Sequence, residues 1–153
     1  MQRTDLLFGI VSNVPNEDGK HFFLADFDNI SEKEIKRKVG KILFNKYNFG
    51  PVYVMKTGKG YHLICFSVKL SLRKYVKILK EVKADSMFIE WVSKVKYGVL
   101  RLSRRSTHLN VPYLAMVLFP DYRYEEYAFC KDFYFSTLKI EDDIREIVRV
   151  KVR

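Results

Sequence analysis

Two aspartates stand two positions apart at the end of an apolar run, in the segment HFFLADFDN (residues 21–29). Side chains alternate between the two faces of an extended strand, so Asp26 and Asp28 point the same way. Because like charges repel each other, the pair needs a compensating cation, a solvated turn or a chemical task. Carboxylate oxygens are ligands that magnesium prefers, so the pair can hold one or two such ions. The alternative is that Asp28 caps the following turn while Asp26 is solvated.

A second polar group lies in MKTGKGYHLI (residues 55–64). Its two glycines let backbone amides approach an anion closely. The side chains of Thr57, Lys59 and His62 can donate hydrogen bonds to phosphate oxygens. The segment is not a Walker loop, because the spacing of that motif is absent. An ordinary hairpin with a half-buried histidine is the alternative interpretation.

A third group is basic and lies in YGVLRLSRRSTHLN (residues 97–110). Arg101 interrupts a strand-like apolar run, where a guanidinium is costly to bury without an anionic partner. Either the aspartate pair or a triphosphate supplies that partner. Arg104 and Arg105 extend the positive charge, although a solvated basic edge explains at least one of them equally well.

The composition limits the class of protein. The chain has 153 residues, 48% of them hydrophobic and 15% aromatic, which predicts one folded domain over residues 1–153. There is no apolar run of about 18 residues and no signal-peptide pattern, so no membrane partner is expected. The net charge of +10 favours nucleic acid or nucleotides as partners, or else reflects a lysine-rich surface adapted for solubility or heat.

Cysteine usage predicts a cytoplasmic protein. Cys65 and Cys130 both lie in apolar surroundings and have no paired-ligand spacing. They are therefore interpreted as core thiols, and a zinc site is excluded.

The hydrophobic pattern predicts an α+β protein. From residue 21 to 103 the element order is β-α-β-β-α-α-β, which indicates a ferredoxin-like, RNA-recognition-type βαββαβ core. Right-handed crossovers would bring the first and last of these strands together in the centre of the sheet. Additional strands are predicted at the N-terminal end (residues 6–11) and the C-terminal end (residues 113–119 and 144–152). Residues 121–140 fit either a helix or a strand.

The predicted helices have recognisable starts and faces. Ser31 and Glu34 form a capping box for the first, and Ser71 can cap the second. Cations are expected on the solvent side of the first helix, at Lys33, Lys36, Arg37, Lys38 and Lys41. The third helix is expected to place Phe88, Trp91, Val92 and Val95 on one face.

Three segments together resemble the archaeo-eukaryotic primase superfamily, particularly the primase-polymerase domains of archaeal and viral or plasmid replication proteins. FLADFDN (residues 23–29) resembles that family's first motif, a hydrophobic run into Asp-x-Asp. TGKGYHLI (residues 57–64) is similar to its second motif, Ser/Thr-Gly-x-Gly-x-His. VLRLSRR (residues 99–105) is similar to the segment after the third motif. The likeness covers roughly residues 21–110.

The resemblance implies specific roles. Asp26 and Asp28 become ligands of Mg²⁺ or Mn²⁺, and Thr57 and His62 contact the incoming triphosphate. Lys59, Arg101 and Arg104 are supporting cations. The family also has a third metal-binding acid. Asp85 and Glu90 are the candidates, and Asp85 is favoured, although it can equally serve as a helix N-cap.

The sequence therefore predicts a primase- or polymerase-type nucleotidyltransferase of DNA replication or repair. It would transfer nucleotides to a primer or initiating nucleotide on a DNA or RNA template, alone or with other replication subunits. Two alternatives remain open. One is a non-catalytic nucleic-acid-binding module that stacks bases on exposed aromatics. The other is a metal-independent, ferredoxin-like endoribonuclease with His62 as general acid or base.

Overall fold

The computed structural model describes residues 9–101 and 112–125, and the backbone of residues 147–150. Its strands are β1 (Gly9–Val11), β2 (Lys20–Asp28), β3 (Val52–Lys56), β4 (Gly60–Ser71), β5 (Val99–Arg101), β6 (Tyr113–Pro120) and β7 (Ile147–Val150). Its helices are α1 (Glu32–Lys38), which continues as a π-helical segment (Val39–Phe44), α2 (Leu72–Glu81) and α3 (Ser86–Val95). This mixture of helices and largely antiparallel strands confirms the α+β class. None of the helices in these ranges is both long and apolar enough to cross a lipid bilayer.

The strands form two sheets. The larger has the order β2-β4-β3-β6-β7, with only the β6–β7 pair parallel, and the smaller pairs β1 with β5. The expected central pairing of β2 with β5 is therefore not found in the described ranges, and β2 stands at an edge. Ser12 bridges the two sheets, because the Phe22 amide donates to its carbonyl and its own amide donates to the Gly98 carbonyl.

The helix starts follow the predicted capping residues. The Ser31 hydroxyl accepts a hydrogen bond from the Glu34 amide, and the Ser71 hydroxyl accepts one from the Lys74 amide. Each bond satisfies one amide that the first helical turn would otherwise leave unpaired.

Two side-chain placements predicted from periodicity are wrong. Lys38 was expected in solvent but is only 7% exposed, and its ammonium donates to the carbonyl of Val82 at 2.7 Å. Trp91 was expected with the buried face of α3 but is 47% exposed. In both cases the contacts of the helix with its neighbours, rather than hydrophobicity alone, decide which positions are covered.

The central parts of strands β2 and β4 are buried on both faces. On one face, Lys38 of α1 lies over the ring of Phe27, and Tyr75 of α2 packs edge-on against Phe23. The opposite face carries Phe22 and Phe66, which pack edge-to-face and are almost fully buried. The aromatic side chains of these strands are thus part of the core.

Candidate active site

Three carboxylates meet at the end of strand β2. Asp26 and Asp28 lie on the same face of that strand, and Asp85 immediately precedes helix α3. One oxygen from each of the three lies within 4.8 Å of the others. Ligands on opposite sides of a divalent cation stand about 4 to 5 Å apart, so a single ion can contact all three with small side-chain movements.

Asp85 is held in this cluster by its backbone. Its amide donates to the carbonyl of Asp26 at 2.8 Å, which ties the start of α3 to strand β2. Asp85 occupies the N-cap position, yet its carboxylate accepts no capping hydrogen bond from the helix. The expected alternative role as a helix cap is therefore not the one seen. Glu90, the other acid considered, is exposed and pairs with Lys94 at 2.8 Å.

A buried lysine fixes the loop that carries Asp85. The Lys38 ammonium reaches from α1 to the carbonyl of Val82, where α2 ends, and lies 6.0 Å from the centre of the Phe27 ring. Phe27 stands between the two aspartates of β2, so Lys38 contacts both elements that supply acids. Helical periodicity assigns Lys38 to the solvent side, so its part in the site was not predicted. Its spacing from buried Ile35, one turn earlier, is the signal that would have found it.

Burial and neighbouring charges perturb the protonation of Asp26. Burial, together with the charges of Asp28 and Asp85, raises the pKa of Asp26 from 3.8 to about 7, although Arg101 opposes the change. Near neutral pH, Asp26 therefore holds a proton for much of the time. A cation bound among the three carboxylates would relieve the repulsion and displace that proton.

His62 lies directly across from Asp26 in the β2–β4 ladder. Its Nε2 atom is 3.4 Å from Oδ1 of Asp26. Burial, with a smaller contribution from Arg101, lowers the pKa of His62 to about 4, so the imidazole is neutral and the contact is not an ion pair. The Nδ1 atom is buried and finds no hydrogen-bond partner within the described part of the chain. Such an orphaned polar atom is costly unless a ligand or a water molecule contacts it.

The glycine hairpin adjoins the acids. Thr57 and Gly60 close it, because the Thr57 amide donates to the Gly60 carbonyl and the Gly60 amide donates to the Thr57 hydroxyl, both at 2.9 Å. The amide of Asn29, the residue after Asp28, donates to the carbonyl of Lys59 at 2.9 Å. Gly60 permits this approach, since a Cβ atom there would stand 1.8 Å from a backbone oxygen of β2.

The structure therefore brings together most of the residues that the sequence nominated. Asp26, Asp28, Asp85 and His62 form one cluster, and Arg101 is close enough for its charge to lower the pKa of both Asp26 and His62. Two further side chains lie on the adjoining hairpin, Thr57 half-buried and Lys59 exposed. Arg104 lies outside the described residues, as do Arg105 and Cys130, whereas Cys65 is buried and its Sγ atom lies 3.0 Å from the Ser67 hydroxyl oxygen.

Comparisons with protein-family models, with curated proteins and with solved structures gave no match. The resemblance to the primase superfamily therefore depends on the three short sequence motifs alone.

Proposed function

We propose that this chain is a metal-dependent nucleotidyltransferase of the primase-polymerase type. The observation that carries the proposal is the convergence of Asp26, Asp28 and Asp85, whose carboxylate oxygens lie within 4.8 Å of one another beside a buried histidine. Two of these acids belong to one strand, whereas the third comes from a loop far along the chain. An arrangement that costs stability through repulsion is typical of a functional site.

The donor atoms fit a hard divalent cation. All three side chains offer carboxylate oxygens, the ligands that Mg²⁺ and Mn²⁺ prefer, and no thiolate of the described residues is near enough to join them. When bound, Mg²⁺ or Mn²⁺ would activate a hydroxyl nucleophile and stabilise charge on phosphate oxygens. Asp26, Asp28 and Asp85 would hold the ion and orient it toward the hairpin.

The remaining polar residues suit a triphosphate. The Nδ1 atom of His62 has no hydrogen-bond partner among the described residues, and the Thr57 hydroxyl accepts from the Gly60 amide while keeping its own proton available. Lys59 at the exposed tip adds positive charge, and Arg101 supplies a guanidinium close to the acids. We assign His62 and Thr57 to the β- and γ-phosphates, with Lys59, Arg101 and Arg104 as supporting cations.

The broader assignments follow from the same proposal. We place the core in the ferredoxin-like βαββαβ class, which the antiparallel order β2-β4-β3 and the helices packed on one face support. The partners would be nucleoside triphosphates, a DNA or RNA template and other replication subunits, in the cytoplasm of an archaeal or virus-like source. The net charge of +10 supports polyanionic partners.

The two alternative functions have weaker support. A base-stacking module needs exposed aromatic rings on the sheet, yet Phe22, Tyr53 and Phe66 on the same face as the acids are at most 5% exposed. An endoribonuclease needs a histidine that titrates near neutral pH. The pKa of His62 is lowered to about 4, and the neighbouring carboxylates repel a phosphodiester.

Metal binding and nucleotide transfer test the proposal in turn. Titration calorimetry with MnCl₂ at pH 7.5 should show binding to the wild-type chain and at least tenfold weaker binding to Asp28→Asn. Asp18→Asn, which removes an exposed acid from a turn, is the matched control and should bind like the wild type. The wild type should then extend a labelled primer–template with Mn²⁺ and nucleotides, and Asp26→Asn plus Asp28→Asn should not. Equal Mn²⁺ affinity in all variants would refute the metal site.

A variant of His62 separates the metal from the phosphates. His62→Gln leaves the three carboxylates in place but changes the group whose Nδ1 atom is orphaned. We expect Mn²⁺ affinity within about threefold of the wild type and about tenfold weaker binding of a nucleoside triphosphate, the cost of one hydrogen bond to a charged ligand. Unchanged triphosphate affinity would remove His62 from the proposed phosphate site.

A further inference from the structure

A groove lies between helices α2 and α3. It is open to solvent, has a volume of about 470 Å³, and is lined by apolar and cationic side chains and by Ser93. The floor is formed by Leu72 and Val76 of α2, both partly exposed. The cations around it are Arg73, Lys77, Lys80 and Lys96.

The cations of this groove outnumber the acids near them, and the charge of Lys77 acts on Glu81 without a salt bridge between the two. Within the described ranges none of its four cations forms a salt bridge, whereas Lys46, Lys69 and Lys94 elsewhere each pair with a glutamate. The acid of α2 is Glu81, and it binds Lys46 at 2.7 Å rather than turning to the groove. Among the described residues, the groove therefore presents cations without salt bridges beside an apolar floor, which calls for an anionic ligand with apolar parts.

Three of the cations form a stripe along helix α2, and the chain continues from the end of that helix to the acid cluster. Arg73, Lys77 and Lys80 are four and three positions apart, so they share one side of α2 over about 10 Å. That length corresponds to about three phosphates at the 3.4 Å spacing of a stacked strand. Beyond the end of α2, exposed Lys83 continues the series, and Asp85 of the acid cluster follows two residues later.

We infer that the groove between α2 and α3 binds a single-stranded nucleic acid and guides it to the acid cluster. Phosphates contact Arg73, Lys77, Lys80 and Lys96, and bases lie on the apolar floor of Leu72 and Val76. This choice of ligand rests on the proposed function, because the stripe leads toward the site where a template or primer would be needed. An acidic protein segment offers similar charge but has no reason to follow this direction.

The test measures binding of fluorescein-labelled dT20 by anisotropy, in EDTA and without nucleotide, over a range of KCl concentrations. The variant Arg73→Gln, Lys77→Gln, Lys80→Gln removes the stripe. Each lost phosphate contact on a single strand reduces the slope of log K against log salt concentration by about 0.7. For three lost contacts we therefore expect this slope to decrease in magnitude by about 2, and binding at 0.1 M salt to be roughly 100-fold weaker. The control Lys20→Gln, Lys33→Gln, Lys41→Gln removes three exposed cations elsewhere and the same net charge. It should weaken binding less than about threefold.

Several results would overturn the inference. They are absence of dT20 binding by the wild type at 0.05 M salt, equal weakening in both triple variants, and efficient displacement of dT20 by polyglutamate at equal charge concentration. The last result would reassign the groove to acidic protein segments. Circular dichroism must show both variants folded, which the exposure of all six positions favours. The dT20 assay contains no Mn²⁺ and is therefore independent of the metal-binding test. A chain that binds dT20 through the groove but does not bind Mn²⁺ would contradict the proposed function and leave the inference about the groove intact.

Discussion

Replacing Asp26 by asparagine is expected to stabilise the metal-free protein and to remove one ligand of the proposed metal site. In the folded chain, burial and the charges of Asp28 and Asp85 raise the pKa of Asp26 from 3.8 to about 7. Folding therefore disfavours the ionised form of this carboxyl. Asparagine has nearly the same shape and carries no charge, so the variant avoids this cost but loses a ligand.

The pKa difference sets the magnitude. Each pKa unit corresponds to about 1.4 kcal/mol, so ionised Asp26 destabilises the fold by about 4 kcal/mol in the limit of high pH. Water penetration and movement of the neighbouring acids reduce this figure slightly, and a gain of about 3 to 4 kcal/mol is expected at pH 8.

The sign of the pH dependence follows from proton binding. Between pH 3.8 and about 7, the folded state holds a proton on Asp26 that the unfolded chain has released. The contribution of Asp26 to stability therefore falls as the pH rises through this window. The difference between Asp26→Asn and the wild type should grow by roughly 2 to 3 kcal/mol from pH 5 to pH 8. Taking this difference cancels the titration of other groups.

Thermal and urea unfolding in EDTA provide the assay. For a chain of this length, 1 kcal/mol changes the Tm by about 2 to 4 °C, so the Tm difference should grow by about 4 to 12 °C between the two pH values. Mn²⁺ should then raise the Tm of the wild type and leave that of the variant unchanged. A variant that is less stable than the wild type at pH 8 in EDTA, or a difference that does not vary with pH, would refute the reasoning.

Three further variants test the scaffold of the site. Gly60→Ala should lower the free energy of unfolding by about 3 kcal/mol or more, because the new Cβ atom would stand 1.8 Å from the Phe27 carbonyl oxygen. A urea midpoint close to that of the wild type would contradict this expectation. Tyr75→Phe should cost about 1 to 2 kcal/mol, since it removes the buried 2.6 Å hydrogen bond to the Leu24 carbonyl, and no change in urea unfolding would show the bond to be neutral. His62→Gln should be more stable relative to the wild type at pH 5 than at pH 7.5. The pKa of His62 is lowered from 6.5 to about 4 in the folded state, so as the pH falls to 5 the unfolded wild type binds a proton that the folded state does not bind. This destabilises the wild type but not the variant, and Tm differences at the two pH values check the sign.

Much of the local structure could be predicted because it depends on neighbours in sequence. The alternation that puts Asp26 and Asp28 on one strand face, the glycine hairpin before β4 and the serine caps of α1 and α2 all appear as expected. Each is decided by backbone geometry within a few residues. Strand β5 is different, because its pairing with β1 instead of β2 depends on contacts with residues distant in the chain.

The sequence by itself determined which residues are candidates for chemistry: an Asp-x-Asp pair, a polar glycine hairpin and a basic strand, set in a strongly cationic α+β chain. Only the tertiary structure decided that Asp85 joins the pair, through its amide bond to the Asp26 carbonyl, and that Lys38 is buried behind the loop. It also decided the electrostatics, because the raised pKa of Asp26 comes from burial and from an acid remote in sequence. Residue types specify what a side chain can bind, whereas distance and exclusion of water specify whether several of them act on the same ion.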